Sequence, residues 1–304
     1  MFRFLNQDGS GPHPGAMVFR WAVLDKLAGR RRKSPRRAEI PVAPTDVERL
    51  ATPPALGEPA RITWLGHASW LVQLDGVSLL VDPVFGDLSW FLPRNVPAPL
   101  RPSQLPHIDA TLVTHSHYDH YDRPSVVAAR ARVLLGTGLG KRLPLSVREL
   151  SWWDVERIND HVRVSFVPSQ HWSRRGLFDT NQTLWGGFVI EGARSRVYHA
   201  GDTAWFAGFK EIGERFPDLD AALLPIGAYD PGWFMEKQHM NPEQAVQSFL
   251  DLRARRLVPM HWGTFKLTDE PLDEPPRRLR AEWERRGLPE DGLRILAVGE
   301  TLEL

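Results

Sequence analysis

From residue 61 onward the chain alternates short apolar runs with turn residues. Runs at 61–65, 69–74, 78–82, 110–114, 133–136, 162–168, 184–191, 197–200, 221–226, 257–260 and 293–298 are bounded by turn-forming residues and read as strands. Helical patterns fall between some of them. Asn241-Pro242-Glu243-Gln244 is a helix start, with Asn at the cap, Pro at the first helical position and Gln where a capping box needs it. Val246, Phe249, Leu250 and Leu252 then supply an apolar stripe. Residues 124–132 and 276–286 also read as helical. Many strands with interspersed helices predict an α/β layered protein, two sheets packed together with helices outside. No repeat of fixed period is present.

Residues 1–60 break this pattern. They are rich in Pro, Gly and Arg, and the first 40 carry nine Lys/Arg against three Asp/Glu. The chain therefore divides into a basic N-terminal arm, 1–60, and one domain, 61–304. Residues 16–27 predict a short amphipathic helix, followed by Arg30, Arg31, Arg32, Lys33, Arg36 and Arg37. One reading is a solvated extension that wraps the domain. The other is peripheral contact with anionic lipid at the inner face of a membrane, because basic clusters beside apolar residues favour such surfaces.

Composition narrows the chemistry. A formal net charge of +1 supplies no global field for a nucleic-acid partner, and none is expected. No stretch approaches the roughly 20 apolar residues of a membrane span. The N-terminus lacks a secretory pattern, so the expected location is cytoplasmic. The chain has no cysteine, which excludes disulfides and thiolate zinc sites. Any transition metal must sit on histidine and carboxylate.

Such a set is present. The apolar run 110–114 leads directly into His115-Ser116-His117-Tyr118-Asp119-His120. In an extended segment His115 and His117 point to one side and can share a metal, while Asp119 and His120 face a second position past the turn. Three further candidates follow apolar runs in the same way: His171, Asp202 and His261. Their recurrence predicts one rim where strand ends converge. Histidine and carboxylate suit zinc, with manganese or iron as alternatives.

These residues carry a resemblance. His115-Ser116-His117-Tyr118-Asp119-His120 matches the H-x-H-x-D-H signature of the metallo-β-lactamase superfamily. Thr63-Trp64-Leu65-Gly66-His67-Ala68, Gln170-His171-Trp172-Ser173, Ala200-Gly201-Asp202-Thr203, Gln238-His239 and His261-Trp262-Gly263-Thr264-Phe265 resemble one branch of it, the N-acylphosphatidylethanolamine-hydrolysing phospholipases D and their bacterial relatives. The resemblance spans roughly residues 60–276 and stops at the arm. It implies an αββα sandwich, two mixed sheets flanked by helices. It also implies two Zn2+, with His115, His117 and His171 on one, Asp119, His120 and His261 on the other, and Asp202 bridging both. Tyr118, Gln238 and His239 match positions beside the substrate phosphate. Asp202, His239 and Tyr118 are the implied catalytic residues.

The implied activity is hydrolysis of a phospholipid phosphodiester by a hydroxide held between the metals. The alternative is a lactonase acting on a sugar-phosphate lactone, or a β-lactam hydrolase, since the same nucleophile can attack a carbonyl. A nuclease lacks a long basic groove signal in 61–304. Seven intact ligands argue against a non-enzymatic sensor.

Other residues have two readings each. Asp82, which ends a strand before Pro83, is either a partner that fixes a ligand histidine or a turn residue. His67 is either near the site or a buried structural histidine. His13, His107, His161 and His199 receive no role. The twelve Trp read mainly as core, with Trp172, Trp185, Trp233 and Trp262 beside site segments. Gly136-Thr137-Gly138-Leu139-Gly140-Lys141 has the wrong spacing for a phosphate loop and reads as a turn.

Overall fold

The computed structural model describes residues 3–141 and 143–304. Its strands are β1 Arg61–Trp64, β2 Trp70–Leu74, β3 Val77–Val81, β4 Ala110–Val113, β5 Arg132–Gly136, β6 Val147–Leu150, β7 Val155–Arg157, β8 Arg163–Val167, β9 Gly187–Glu191, β10 Arg196–His199, β11 Ala221–Pro225, β12 Leu257–Met260 and β13 Thr301–Glu303. One sheet runs β13-β1-β2-β3-β4-β5-β6 and the other β12-β11-β10-β9-β8-β7. Both are mixed: β3 to β6 are parallel in the first, and β10 to β12 in the second.

The parallel strands explain the unbroken apolar runs. Every residue of β4 and β11 is buried, as expected for strands covered on both faces. Trp64, Val72, Leu79 and Leu112 of the first sheet share one buried cluster with Phe166, Phe188 and Tyr198 of the second. Alternate residues turn outward by the two-residue period of a strand. Leu71 and Leu80 meet Leu50 and Ile108, and Val113, Val133 and Leu135 meet Val126 of the helix Arg123–Ala128. Helices Gly208–Arg215, Pro242–Leu252 and Glu274–Arg285 pack side by side over the second sheet. The result is the αββα layering implied by the resemblance.

The helix start at Asn241 is present: Asn241 Oδ1 accepts from Gln244 N at 2.8 Å and Gln244 Oε1 from Asn241 N at 3.0 Å. Other elements differ from expectation. Residues 293–298 form only isolated bridges, and the last strand is β13, which pairs with β1. The short edge strands β6 and β7 are half exposed and carry no continuous apolar run, so the pattern did not mark them. Helix 124–132 stops at Ala128, because Arg132 already belongs to β5. The glycine-rich segment is a turn, and its Gly138 and Gly140 amides donate to the Glu149 carboxylate at 2.9 and 3.0 Å.

Residues 3–60 run across the domain. The segment 15–27 is helical, with a π-helical middle at Arg20–Leu24. Ile40 enters the main core, and the Ala43 amide donates to Val298 O. Arg31 pairs with Asp269 and Arg32 with Glu274. Among the described residues no helix is long and apolar enough to cross a membrane.

Candidate metal centre and its chamber

The strand ends converge on one rim. β4 delivers His115, and the turn beyond it delivers His117, Asp119 and His120. β8, β10 and β12 are followed by His171, Asp202 and His261. Sharp local turns aim these side chains. His67 after β1, Asp82 after β3 and His261 after β12 all adopt the left-handed conformation, with φ of 53°, 42° and 61°. That conformation is uncommon away from glycine and concentrates where function holds it in place. Gly201, at φ 62°, sets the turn before Asp202; a Cβ there would lie 2.8 Å from Gly186 O and 3.0 Å from Thr114 Cβ. His199, given no role by sequence, braces the same turn: its Nδ1 accepts from Gly201 N at 3.1 Å and its Nε2 donates to Ala68 O at 3.0 Å.

Three groups of donors form among the described residues, and Asp202 belongs to two of them. His115, His117, His171 and Asp202 offer atoms within 4.8 Å of one another, and so do His67, Asp119, His120 and His261, and a third set of Asp202, His239 and His261. In the first group His115 Nε2 is 2.9 Å and His171 Nε2 3.2 Å from His117 Nδ1. In the second, His120 Nε2 lies 3.2 Å from Asp202 Oδ2, and His261 Nε2 3.0 Å from Asp202 Oδ1. His261 Nε2 is also 3.5 Å from Asp119 Oδ2.

The outward ring nitrogens are tied down. His120 Nδ1 donates to Asp82 Oδ2 at 2.7 Å, and Thr114 donates to the same carboxylate through N at 2.8 Å and Oγ1 at 2.6 Å. Asp82 is therefore the partner that fixes the ring of His120. His171 Nδ1 donates to Gln238 O at 2.9 Å. His67 also belongs to the site, with Nε2 2.9 Å from Asp119 Oδ2. These bonds turn His120 and His171 so that Nε2 faces the cluster, the arrangement that orients metal-binding imidazoles.

Electrostatics separates the histidines. Burial pushes His117 and His239 down to about 4 and His67 to about 3. It holds His115 and His171 well below the ordinary value. At His261 and His120 burial works against the charge, but Asp202 and Asp119 outweigh it, lifting His261 to about 9 and His120 well above normal. Burial likewise opposes charge on Asp119 and Asp202, yet the surrounding histidines keep both carboxylates well below their usual range.

The donor set fits divalent cations. His117 Nε2, His120 Nε2, His261 Nε2 and Asp202 Oδ1 are buried without hydrogen-bond partners. Unpaired buried polar atoms cost about 1–3 kcal/mol each, so several at one point call for a compensating ligand. Imidazole nitrogen and carboxylate oxygen are donors that zinc, manganese and iron accept.

A chamber of about 940 Å³ leads down to His117, Asp119, Asp202 and His239. Val18, Phe19 and Val23 of the arm form one wall, and Trp172, Phe234 and Met235 another. His239 Nδ1 is buried, unpartnered, and 4.0 Å from Asp202 Oδ2. Gln238 lines the same space. His13, which also received no role from sequence, stacks on Phe234 at 4.8 Å and bonds its carbonyl at the chamber wall. Tyr118 stands apart from this group. It is 56% exposed, its hydroxyl donates to Arg175 O at 2.9 Å, and it borders a neighbouring cleft.

One contribution had no local sequence signal. Asn6 is buried, and its Oδ1 accepts from His171 N at 3.0 Å and from Trp185 Nε1 at 3.1 Å. Asp8 accepts from Gln170 Nε2 at 2.9 Å. The arm thus braces the loop that carries His171.

Comparison with known proteins agrees with this construction. The family described as Beta-lactamase superfamily domain matches residues 78–262. An N-acyl-phosphatidylethanolamine-hydrolyzing phospholipase D from Caenorhabditis elegans is 34% identical over 266 residues, 79% of this chain and 75% of that protein. A metal-dependent hydrolase from Pyrobaculum neutrophilum is 32% identical over 233 residues, 73% of this chain and 92% of that protein. Among solved structures, a metallo hydrolase from Ignicoccus hospitalis aligns with a TM-score of 0.61 at 24% identity, covering 81% of this chain and 98% of its own. The chain belongs to the metallo-β-lactamase superfamily and is a metal-dependent hydrolase.

Proposed function

We propose that the chain is a zinc-dependent phosphodiesterase that cleaves the headgroup side of an N-acylated phospholipid. Water's oxygen joins phosphorus, the P–O bond to the N-acylethanolamine breaks, and the leaving oxygen takes a proton. The products are phosphatidic acid and the N-acylethanolamine. The observation that carries this reading is the shape of the site, an apolar chamber ending on a floor of histidine and carboxylate. A phosphodiester with long acyl chains needs both. The C. elegans relative named as an N-acyl-phosphatidylethanolamine-hydrolyzing phospholipase D supports the choice of substrate.

Two bound cations would lower the pKa of water from 15.7 toward about 7 and offset charge on the phosphoryl oxygens. The protein's part is to hold and orient. His115, His117 and His171 would hold one cation and Asp119, His120 and His261 the other, with Asp202 placed to reach both groups and to orient the attacking water. His239, unpartnered at the chamber floor, hydrogen-bonds a phosphoryl oxygen, and Gln238 lies beside it. Tyr118 is given no part, because its hydroxyl is committed to Arg175 O outside the chamber. Phe19, Val23, Phe234 and Met235 take up an acyl chain and exclude water from the reacting phosphate.

The test is a side-by-side assay of zinc-loaded protein on N-acylphosphatidylethanolamine vesicles and on a panel of lactones and β-lactams, with Asp202→Asn as control. Lipid cleavage that disappears in the control is the expected result. Opening of lactones or β-lactams with no lipid cleavage would keep the metal centre and replace the substrate class.

A further inference from the structure

The second donor group contains a histidine that the proposed reaction does not touch. His67 is 1% exposed, and its backbone is pinned on both sides. Its O accepts from Trp64 Nε1 at 2.9 Å and from His261 N at 3.0 Å, and its N donates to Thr264 Oγ1 at 2.7 Å. From this anchor Nε2 reaches Asp119 Oδ2 at 2.9 Å, and the ring lies 4.0 Å from the His261 ring, centroid to centroid. His67 therefore touches two of the residues assigned to one cation.

Counting protons gives the two rings opposite needs. An ionised carboxylate only accepts, so the bond to Asp119 puts the proton of His67 on Nε2. Burial keeps this ring neutral, which leaves its Nδ1 a bare acceptor. His261 is the reverse. Its Nε2 faces Asp202 and Asp119, and a ring that binds a cation through Nε2 carries its proton on Nδ1. Both Nδ1 atoms are buried and have no hydrogen-bond partner among the described residues. The other rings whose Nε2 faces the cluster have Nδ1 engaged: His115 with Thr114 Oγ1 at 3.0 Å, His120 with Asp82, and His171 with Gln238 O. A metal-binding imidazole almost always donates its second N–H, so His261 needs an acceptor. His67, His261 and Glu270 line a cavity of about 10 Å³, room for about one water. The Glu270 carboxylate accepts from Ala228 N at 2.7 Å, Asp230 N at 3.2 Å and Thr268 Oγ1 at 2.8 Å. A carboxylate offers about four acceptor sites, so one remains. A water here would accept from His261 Nδ1 and donate to His67 Nδ1 and to Glu270. Three bonds are the usual number for a buried water.

We propose that His67 is a positioning residue for the Asp119 and His261 side of the metal centre. Its Nε2–H fixes the orientation of the Asp119 carboxylate. Its Nδ1 is joined to His261 through one buried water that Glu270 shares, and that water holds the His261 ring with Nε2 toward the cation. A cation on His261 Nε2, as proposed above, is the premise; the phospholipid substrate is not.

Two measurements on the full chain test this. The first is a high-resolution crystal structure of the zinc-loaded protein, together with nitrogen NMR of its histidine rings. One water within about 3.2 Å of both Nδ1 atoms, and a His67 protonated on Nε2, are expected. Zinc on His261 Nε2 with no such water, or a His67 protonated on Nδ1, would overturn the proposal and leave the ligand assignment standing. A His261 that stays off the zinc would remove the ligand assignment, and the positioning role with it. The second is zinc affinity, read by competition with a chromophoric chelator, for His67→Phe and His67→Gln. Phe keeps the bulk of the ring and removes both nitrogens, whereas the Gln amide restores an N–H toward Asp119. His67→Phe should bind zinc about ten- to hundredfold more weakly, and His67→Gln should recover part of that loss. Wild-type affinity in His67→Phe, or equal losses in both variants, would reduce His67 to a packing residue. The structure and the ring NMR use wild type, so they decide the matter even where a variant fails to fold.

Discussion

Replacing Asp82 by Asn tests how the centre is built without touching a proposed ligand. Asp82 is fully buried and accepts three bonds, two from Thr114 and one from His120 Nδ1. The amide keeps the size of the carboxylate but replaces one acceptor with a donor. If its oxygen stays with Thr114 N at 2.8 Å, its NH₂ faces His120 Nδ1, which itself donates in the native arrangement. His120 can relieve that clash by moving its proton to Nε2, the atom that faces Asp202 at 3.2 Å. A protonated Nε2 cannot bind a metal. Loss of such a partner typically weakens metal binding ten- to hundredfold, about 1.4–2.7 kcal/mol. The metal-free protein should also lose about 1–3 kcal/mol of stability for the disturbed buried bonds. Competition with a chromophoric chelator reads the affinity, and thermal melts of metal-free protein read the stability. An Asp82→Asn protein that binds metal with wild-type affinity would refute the argument that Asp82 sets the tautomer of His120.

Three further outcomes are expected. Asn6→Ala should leave His171 N and Trp185 Nε1 without their acceptor, cost about 1–3 kcal/mol, and loosen metal binding; unchanged melting and affinity would show that the arm does not brace the site. Removing metal with a chelator should lower the melting temperature by about 5–10 °C relative to protein in hundredfold excess over the dissociation constant, since that excess stabilises by about 2.7 kcal/mol; no shift would mean that the cluster holds none. The third concerns pH and the helix Glu274–Arg285, where Glu282 accepts from Arg285 and Arg286 and is held down to about 2, chiefly by Arg285. A depressed carboxylate stabilises above its unfolded value of 4.5 and loses that contribution as pH falls toward about 2. Because Arg285 is 68% exposed, solvent screening keeps that contribution small. Glu282→Gln should therefore melt slightly lower at pH 7, with the gap closing as pH falls below 4.5; a gap independent of pH would rule out the ion pair as its source.

The sequence revealed the centre because its chemistry is local to strand ends. His115 to His120 follow β4 directly, and His171, Asp202 and His261 each follow an apolar strand, so residue type and position pointed the same way. Asp82 and His67 were ambiguous for the same reason. Each ends a strand in a way that a turn residue also would, and only the pairing of β3 with β4 brings Asp82 beneath His120. The layered fold was legible from buried strands, whereas β6, β7 and β13 were not, since edge strands satisfy one side with solvent and need no apolar run. Asn6 and His13 were illegible. Their partners lie on distant loops, and nothing in their neighbours announces a buried role.

The bond from His171 N to Asn6 joins residues 165 positions apart, and that from Gln170 to Asp8 spans 162. During synthesis the arm is made before the loop after β8 that it holds. Contacts of such long separation form late, after their loop-closure entropy has been met by other structure. The sequence His115 to His120 is likewise translated before His261, which joins Asp119 and His120 in one donor group. Residues distant along the chain complete the cluster, so the full set of donors exists only once the chain has folded.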